Sequence, residues 1–366
     1  MIMVHKSNEA TLYNFGAGPA CLPHEVLNKI REDIPNWYEG MSIMEISHRL
    51  PVVMELTAKI EANLRTLLSI PDEFAVLFMH GGARTQFSTV PLNLLNGAST
   101  ADYLITGTWS NLAYKDAKAY CNAHCVATTE ESNFTELPLN ESMSFSNDAA
   151  FVHYTDNETI HGVEFTDLPP TRKPLVSDMT SNILTKSIDF SRYGLIYASA
   201  QKNLGIAGIT VVIVRKDLLG KAHSYTPPTL NYDLCYQQNS LFNTPPVFSW
   251  YVLGLVLDWS MAQGGCQAFA KLSEQKSSLI YKLIDSSDFY SNPVAVNARS
   301  RVNIPFRLQE EALEKIFLAE AEQIGLKQLK GHKSVGGCRA SLYNAMPLAG
   351  AKALVEFMQH FEKTKG

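Results

Sequence analysis

The residues most able to do chemistry lie in Tyr197-Ala-Ser-Ala-Gln-Lys-Asn-Leu-Gly-Ile-Ala-Gly208, between two apolar runs. A lysine among small neighbours, just past a buried strand, has an amine that can be desolvated, lowered in pKa and turned into a nucleophile toward carbonyls. The plain alternative is a solvated loop lysine. Gly205 and Gly208 weigh against it, because they let backbone or ligand approach closely. Asp178, 24 residues before Lys202, ends the run Pro174-Leu-Val-Ser177, and such a carboxylate can also serve as a cap or turn residue. If the two side chains share the crevice at the carboxyl ends of parallel strands, they suit pyridoxal phosphate. Its aldehyde condenses with a lysine, and an acid keeps its ring nitrogen protonated.

A phosphate-bearing coenzyme also needs an anion cradle. His80-Gly-Gly-Ala-Arg84 joins an apolar run to an expected helix, where free N–H groups and the positive helix end favour phosphate. Trp109, in Gly107-Thr-Trp-Ser110, follows another run and could stack on a pyridine ring, although tryptophan is more often core. His48-Arg49, Arg84, His332-Lys333 and Arg339 form a set of loop cations that fits a substrate with more than one negative group. Cys121 and Cys125 form the one close cysteine pair, and with no matching second pair they predict no metal site.

These residues need a large scaffold, and the chain has one. Its 366 residues, 46% hydrophobic and 18% charged, predict a globular protein of two domains. A net charge of −5 argues against a broad grip on nucleic acid or anionic lipid. Six scattered cysteines read as reduced thiols, and the absence of an apolar leader in Met1 to Thr11 or of a membrane-length apolar run predicts a cytoplasmic protein.

Runs that are apolar on successive residues predict strands covered on both faces: Phe74 to Met79, Tyr103 to Thr106, Phe151 to Tyr154, Pro174 to Ser177, Leu195 to Ala198 and Ile209 to Val214. With crossover helices such as Asn111 to Tyr120, they make a largely parallel α/β domain over 12–261. Thr226 to Pro246 reads as a long irregular connection, and helices are expected over Val247 to Ala262 and Gln267 to Asp285. A smaller α/β domain over 262–366 follows, closing in a helix whose Leu354, Phe357, Met358 and Phe361 share one stripe.

The chain resembles the phosphoserine aminotransferases, fold-type I pyridoxal-phosphate enzymes of serine biosynthesis. The resemblance rests on Asn14-Phe-Gly-Ala-Gly-Pro19, Met44-Glu-Ile-Ser-His-Arg49, His80-Gly-Gly-Ala-Arg84, Asn157-Glu-Thr-Ile160, Tyr193 to Gly208, Phe242-Asn-Thr-Pro-Pro246 and Gly331 to Pro347, in order along nearly the whole sequence. It implies that Lys202 holds the coenzyme and shuttles the substrate proton, that Asp178 meets the ring nitrogen, and that Trp109 stacks on the ring. Thr159 would bond near the ring hydroxyl, and Ala83, Arg84 and Gln201 would line the phosphate side. Asn243 and Thr244 would reach the coenzyme phosphate of the other protomer in a homodimer with shared sites. The implied substrates are glutamate, 2-oxoglutarate, 3-phosphohydroxypyruvate and phosphoserine, with 4-phosphohydroxythreonine of pyridoxine synthesis as a further one. Arg339 would anchor the α-carboxylate, and His48, Arg49, His332 and Lys333 the distal anion.

Two positions depart from the pattern. Lys333 stands where many members carry Arg, keeping the charge but losing the planar fork, and Ala17 stands where some carry Ser. A lost charge-assisted hydrogen bond is worth ~1.5–3 kcal/mol, enough to weaken a phosphorylated substrate about tenfold. The rival within enzymes is another fold-type I member, such as a different small-substrate aminotransferase or a cysteine desulfurase. The desulfurase would need a cysteine facing the coenzyme, and Cys338 beside Arg339 comes nearest.

Overall fold

The computed structural model describes residues 12–366. Its centre is a seven-stranded sheet in the spatial order Phe74–His80, Ile209–Arg215, Tyr193–Ser199, Leu175–Asp178, Val152–Thr155, Thr100–Ile105, Asn122–Thr128. Ile209–Arg215 runs antiparallel to both neighbours and the remaining pairs are parallel. The continuous apolar runs follow from burial on both faces. On one face Val76, Phe78, Ile196, Val211 and Ile213 pack on Trp250, Leu253 and Leu257 of helix Val247–Ala262 and on Leu64 of helix Pro51–Leu68. On the other, Leu77, Met79, Leu195, Tyr197 and Val212 pack on Phe87 and Val90 of helix Ala83–Leu94 and on Ala113 of helix Thr108–Ala117.

A second core gathers around an antiparallel sheet of Tyr290–Ser291, Asn303–Leu308 and Cys338–Ser341. Helices Glu311–Gln323 and Leu348–Lys365 cover it, and Leu354, Phe357, Met358 and Phe361 are all buried there. Helix Gly265–Asp285 serves both cores, with Cys266 in the first and Ile280 and Ile284 in the second. The chain near its start also belongs to the second core: Tyr13–Asn14 pairs in parallel with Leu326–Lys327, and Phe15 is buried beside it.

The structure corrects one expectation about elements. Thr226 to Pro246 is not irregular throughout, because it carries a short helix, Tyr232–Gln237, capped by the Asn231 side chain accepting from Leu234 N–H at 3.1 Å. The cysteine pair lies in or beside the edge strand Asn122–Thr128, whose His124 pairs with Asp102 at 3.0 Å. All six cysteines are free thiols.

Candidate active site

Asp178 is the last residue of its strand, and the neighbouring strand runs two residues past the paired Tyr197, to Ser199, into the turn that carries Lys202. Both side chains line one cavity of about 560 Å³ at the carboxyl end of the parallel strands. Lys202 Nζ donates to Thr159 Oγ1 at 2.5 Å. Burial lowers its pKa to about 8, with Asp178 opposing and Arg339 assisting, so about a tenth of the amine is neutral and nucleophilic at pH 7, far more than for a solvated lysine. Across the cavity Gly18 sits at φ +143°, and a Cβ there would lie 3.5 Å from Lys202 Cε in a backbone conformation that favours glycine.

Asp178 Oδ1 accepts from Thr180 N–H at 2.9 Å. Burial pushes its carboxyl up, against the Thr180 bonds and the Lys202 charge. A buried carboxylate of this kind gains most from a cationic partner.

Trp109 is fixed by its backbone. Glu158, fully buried, accepts from Trp109 N–H at 3.1 Å, Ser110 N–H at 2.8 Å and Ser110 Oγ at 2.7 Å, closing the start of helix Thr108–Ala117. Burial raises Glu158 to about 7, with the Ser110 and Trp109 donors resisting. Only glycine admits this carboxylate at 107, where a Cβ would fall 2.3 Å from Glu158 Cδ. The indole ring lines the cavity, and its Nε1 has no partner among the described residues.

Helix Ala83–Leu94 opens on the same cavity at Gly81-Gly82 with no side-chain cap, which leaves first-turn N–H groups for an anion. Ala83, Arg84 and Gln201 line this end. The Arg84 guanidinium is committed elsewhere, pairing with Asp116 at 3.1 Å, so Arg84 contributes here through its backbone. Gln201 Oε1 accepts from the Ser199 hydroxyl.

At the opposite end Arg339 donates from Nη1 to the Thr159 carbonyl at 3.2 Å, and His332 joins it in the lining. Burial, then Arg339 and Lys333, lower the His332 pKa. The remaining sequence candidates do not line the cavity of a single chain. Arg49, Lys333, Asn243 and Thr244 are exposed and His48 is half-buried in the loop before helix Pro51–Leu68.

Sequence reasoning passed over Thr155, Thr180, Ser181 and Ser199, all buried and all lining the cavity, and the buried Glu158. Thr180 had a signal, since Asp-x-Thr after a strand favours an Asx-turn. The others had none beyond their place at strand ends.

The donor set fits pyridoxal phosphate: an amine for the aldehyde, a buried acid for the ring nitrogen, an indole for the ring face and an uncapped helix start for the phosphate. Independent comparisons agree. The family model for class-V aminotransferases matches residues 12–354. The chain is 50% identical over 358 residues to a phosphoserine aminotransferase of Laribacter hongkongensis, covering 97% of this chain and 100% of the relative. It superposes on the phosphoserine aminotransferase of Bacillus circulans subsp. alkalophilus with TM-score 0.95 at 45% identity, covering 98% of this chain and 100% of the other. A pyridoxal-phosphate-bound phosphoserine aminotransferase from Trichomonas vaginalis gives TM-score 0.92 at 39% identity, covering 95% and 99% of the two chains. The chain belongs to the class-V aminotransferases, enzymes that use pyridoxal phosphate, and within them to the phosphoserine aminotransferases.

Proposed function

We propose that this chain moves an amino group reversibly between glutamate and 3-phosphohydroxypyruvate, giving O-phosphoserine and 2-oxoglutarate in a ping-pong cycle, with 4-phosphohydroxythreonine as a further substrate. The observation that carries the reading is one cavity lined by the desolvated Lys202 amine, by Asp178 and by the cations Arg339 and His332, with Lys202 donating to the Thr159 hydroxyl and Arg339 to the Thr159 carbonyl. When bound, pyridoxal phosphate supplies a lysine-reactive aldehyde on an electron-withdrawing ring.

The chain does the rest. Asp178 holds the proton at the ring nitrogen, Trp109 covers a ring face, and Thr159 lies near the ring hydroxyl while holding Lys202 Nζ at 2.5 Å. Ala83, Arg84 and Gln201 hold the phosphate. Lys202 Nζ takes the proton from the substrate α-carbon and returns it on the coenzyme side. Arg339 orients the α-carboxylate, and His332 with Lys333, His48 and Arg49 gathers the distal phosphate or γ-carboxylate. Because Lys333, His48 and Arg49 lie off the single-chain cavity, the clamp is completed in a homodimer, with Asn243 and Thr244 reaching the phosphate of the partner's coenzyme. We further propose domains over 12–261 and 262–366, with helix Gly265–Asp285 as the joint and Tyr13–Asn14 as a strap on the smaller one. The same reading gives a cytoplasmic enzyme of serine biosynthesis. No helix among the described residues is long and apolar enough to cross a membrane.

The test is spectroscopic. The purified holoenzyme carries a visible band from the coenzyme bound to Lys202, glutamate discharges it, and 3-phosphohydroxypyruvate restores it. Unphosphorylated hydroxypyruvate restoring the band equally well would remove phosphate recognition from the reading. Lys202→Ala binds coenzyme without a borohydride-trappable bond, and turnover surviving in that variant would overturn the catalytic assignment.

A further inference from the structure

Behind Asp178, away from the cavity, lies a buried polar chain that the site does not use directly. The strands Val152–Thr155, Leu175–Asp178 and Tyr193–Ser199 are parallel neighbours, and their register sets His153 beside Val176, Thr155 beside Asp178, and Asp178 beside Tyr197. Alternation along a strand puts His153, Asp178 and Tyr197 on one face. It is the face covered by helices Ala83–Leu94 and Thr108–Ala117. His153 is 1% exposed, and its Nε2 lies 2.9 Å from the Tyr197 hydroxyl. The Tyr103 ring stacks on the imidazole with centroids 5.1 Å apart. Nδ1 of His153 has no partner among the described residues.

The direction of these bonds can be deduced. Burial drives the His153 pKa down to about 3, so the ring is neutral and carries one N–H. A proton on Nδ1 would leave a buried donor with nothing to meet, the rarest kind of unpaired group in folded proteins. The proton therefore sits on Nε2 and is donated to the Tyr197 oxygen. Tyr197 must then send its own O–H elsewhere, and the Asp178 carboxylate beside it is the acceptor, where that bond favours the ionised form. Thr180 supplies the other donors, its N–H at 2.9 Å and a hydroxyl whose oxygen accepts from Ser199 N–H at 3.2 Å. The charged groups facing Asp178 are Lys202 and Glu158. Tyr103 and Tyr232, packed against Tyr197, are held protonated by burial.

We propose that His153 and Tyr197 are positioning residues that together hand one hydrogen bond to Asp178, keeping it a weak enough base to leave the proton on the coenzyme's ring nitrogen. This rests on the reading of Asp178 given above. Without the bond Asp178 becomes more basic and draws that proton toward itself, the ring loses positive charge, and the coenzyme–lysine linkage titrates at higher pH.

The experiment is a pH titration of the visible band in five holoenzymes: wild type, Tyr197→Phe, His153→Phe, their double variant, and His153→Gln, whose amide can donate from the Nε2 position. Tyr197→Phe is expected to raise the midpoint by about half to one pH unit. His153→Phe moves it the same way, the double variant goes no further than Tyr197→Phe alone, and His153→Gln returns close to wild type. An unmoved midpoint in Tyr197→Phe overturns the proposal. Additive shifts in the double variant, or a His153→Gln midpoint displaced as far as that of Tyr197→Phe, overturn the part of His153. If His153→Phe does not fold, Tyr197→Phe and His153→Gln decide alone. Asp178→Asn separates the two levels: a wild-type midpoint and coenzyme affinity in that variant would remove the underlying assignment, whereas a displaced Asp178→Asn with an unmoved Tyr197→Phe removes only the relay.

Discussion

At Lys202 the balance is between the cost of desolvating a charge and the attraction of Asp178, and desolvation wins, leaving the pKa at about 8. For an ordinary lysine only roughly one amine in 300 is neutral at that pH. Here half are, so the rate at which pyridoxal phosphate attaches to the coenzyme-free protein should climb through pH about 8 and level off above it. Stopped-flow absorbance at a series of pH values measures this, and a rate still rising about tenfold per unit between pH ~8 and ~10 would mean an unshifted amine. Lys202, Asp178 and Arg339 were legible in the sequence because their chemistry is distinctive and apolar runs fix where each one emerges. Glu158 was not, since nothing local separates a glutamate bonded to three donors from one in water. Its burial depends on Gly107 and Ser110, some 50 residues away.

Elements were readable in proportion to how completely they are buried. The strand Ile209–Arg215 is apolar at successive positions because helices cover both its faces, whereas Asn122–Thr128 is a half-exposed edge strand whose polar residues carry no strand signal. Helix Gly265–Asp285 was expected from its pattern, yet its most consequential side chain was not. Lys276, fully buried, donates to the carbonyls of Leu342 at 2.9 Å, Tyr343 at 2.8 Å and Met346 at 2.9 Å. That turn links the strand carrying Arg339 to the last helix, and its Asn344 N–H is accepted by Asn203 Oδ1 at 2.9 Å, next to Lys202. Lys276→Met takes a donor from three buried carbonyls, of which that of Tyr343 keeps a second one, the Met346 N–H at 2.9 Å, and should cost roughly 3 kcal/mol in chemical denaturation. Burial lowers the Lys276 pKa to about 7, below its unfolded value, so the unfolded chain binds more protons between the two. Wild-type stability should therefore rise relative to the Met variant as pH increases from 7 to 9, and parallel curves would show that this amine does not titrate there.

For the whole molecule the informative fact is which predicted site residues a single chain leaves outside its cavity. Arg49, Asn243 and Thr244 are exposed, and large apolar residues stand close to them in sequence, Met44 at 63% exposure and Phe242 at 47%. Asn243 lies against His80, at the end of the edge strand Phe74–His80, and is not among the residues lining the cavity of its own chain. Exposed apolar side chains next to residues that suit an anion are what a two-fold interface would bury and what would complete the site of a second copy. The chemistry of these residues could flag them, but only the family resemblance gave Asn243 and Thr244 a cross-chain role, because composition and spacing do not show where the sheet edge lies. The proposed shared sites have a specific consequence for mixtures. A Lys202→Ala homodimer lacks the amine at both sites, and a homodimer of the Asn243→Ala, Thr244→Ala double variant lacks the cross-chain contacts at both. Unfolding and refolding the two together in equal amounts makes half the dimers mixed, and each mixed dimer has one complete site and one doubly defective site. Turnover should then recover to about a quarter of wild type from two nearly inactive parents. Mixed dimers confirmed by mass tags but without recovered turnover would mean that each chain builds its site alone.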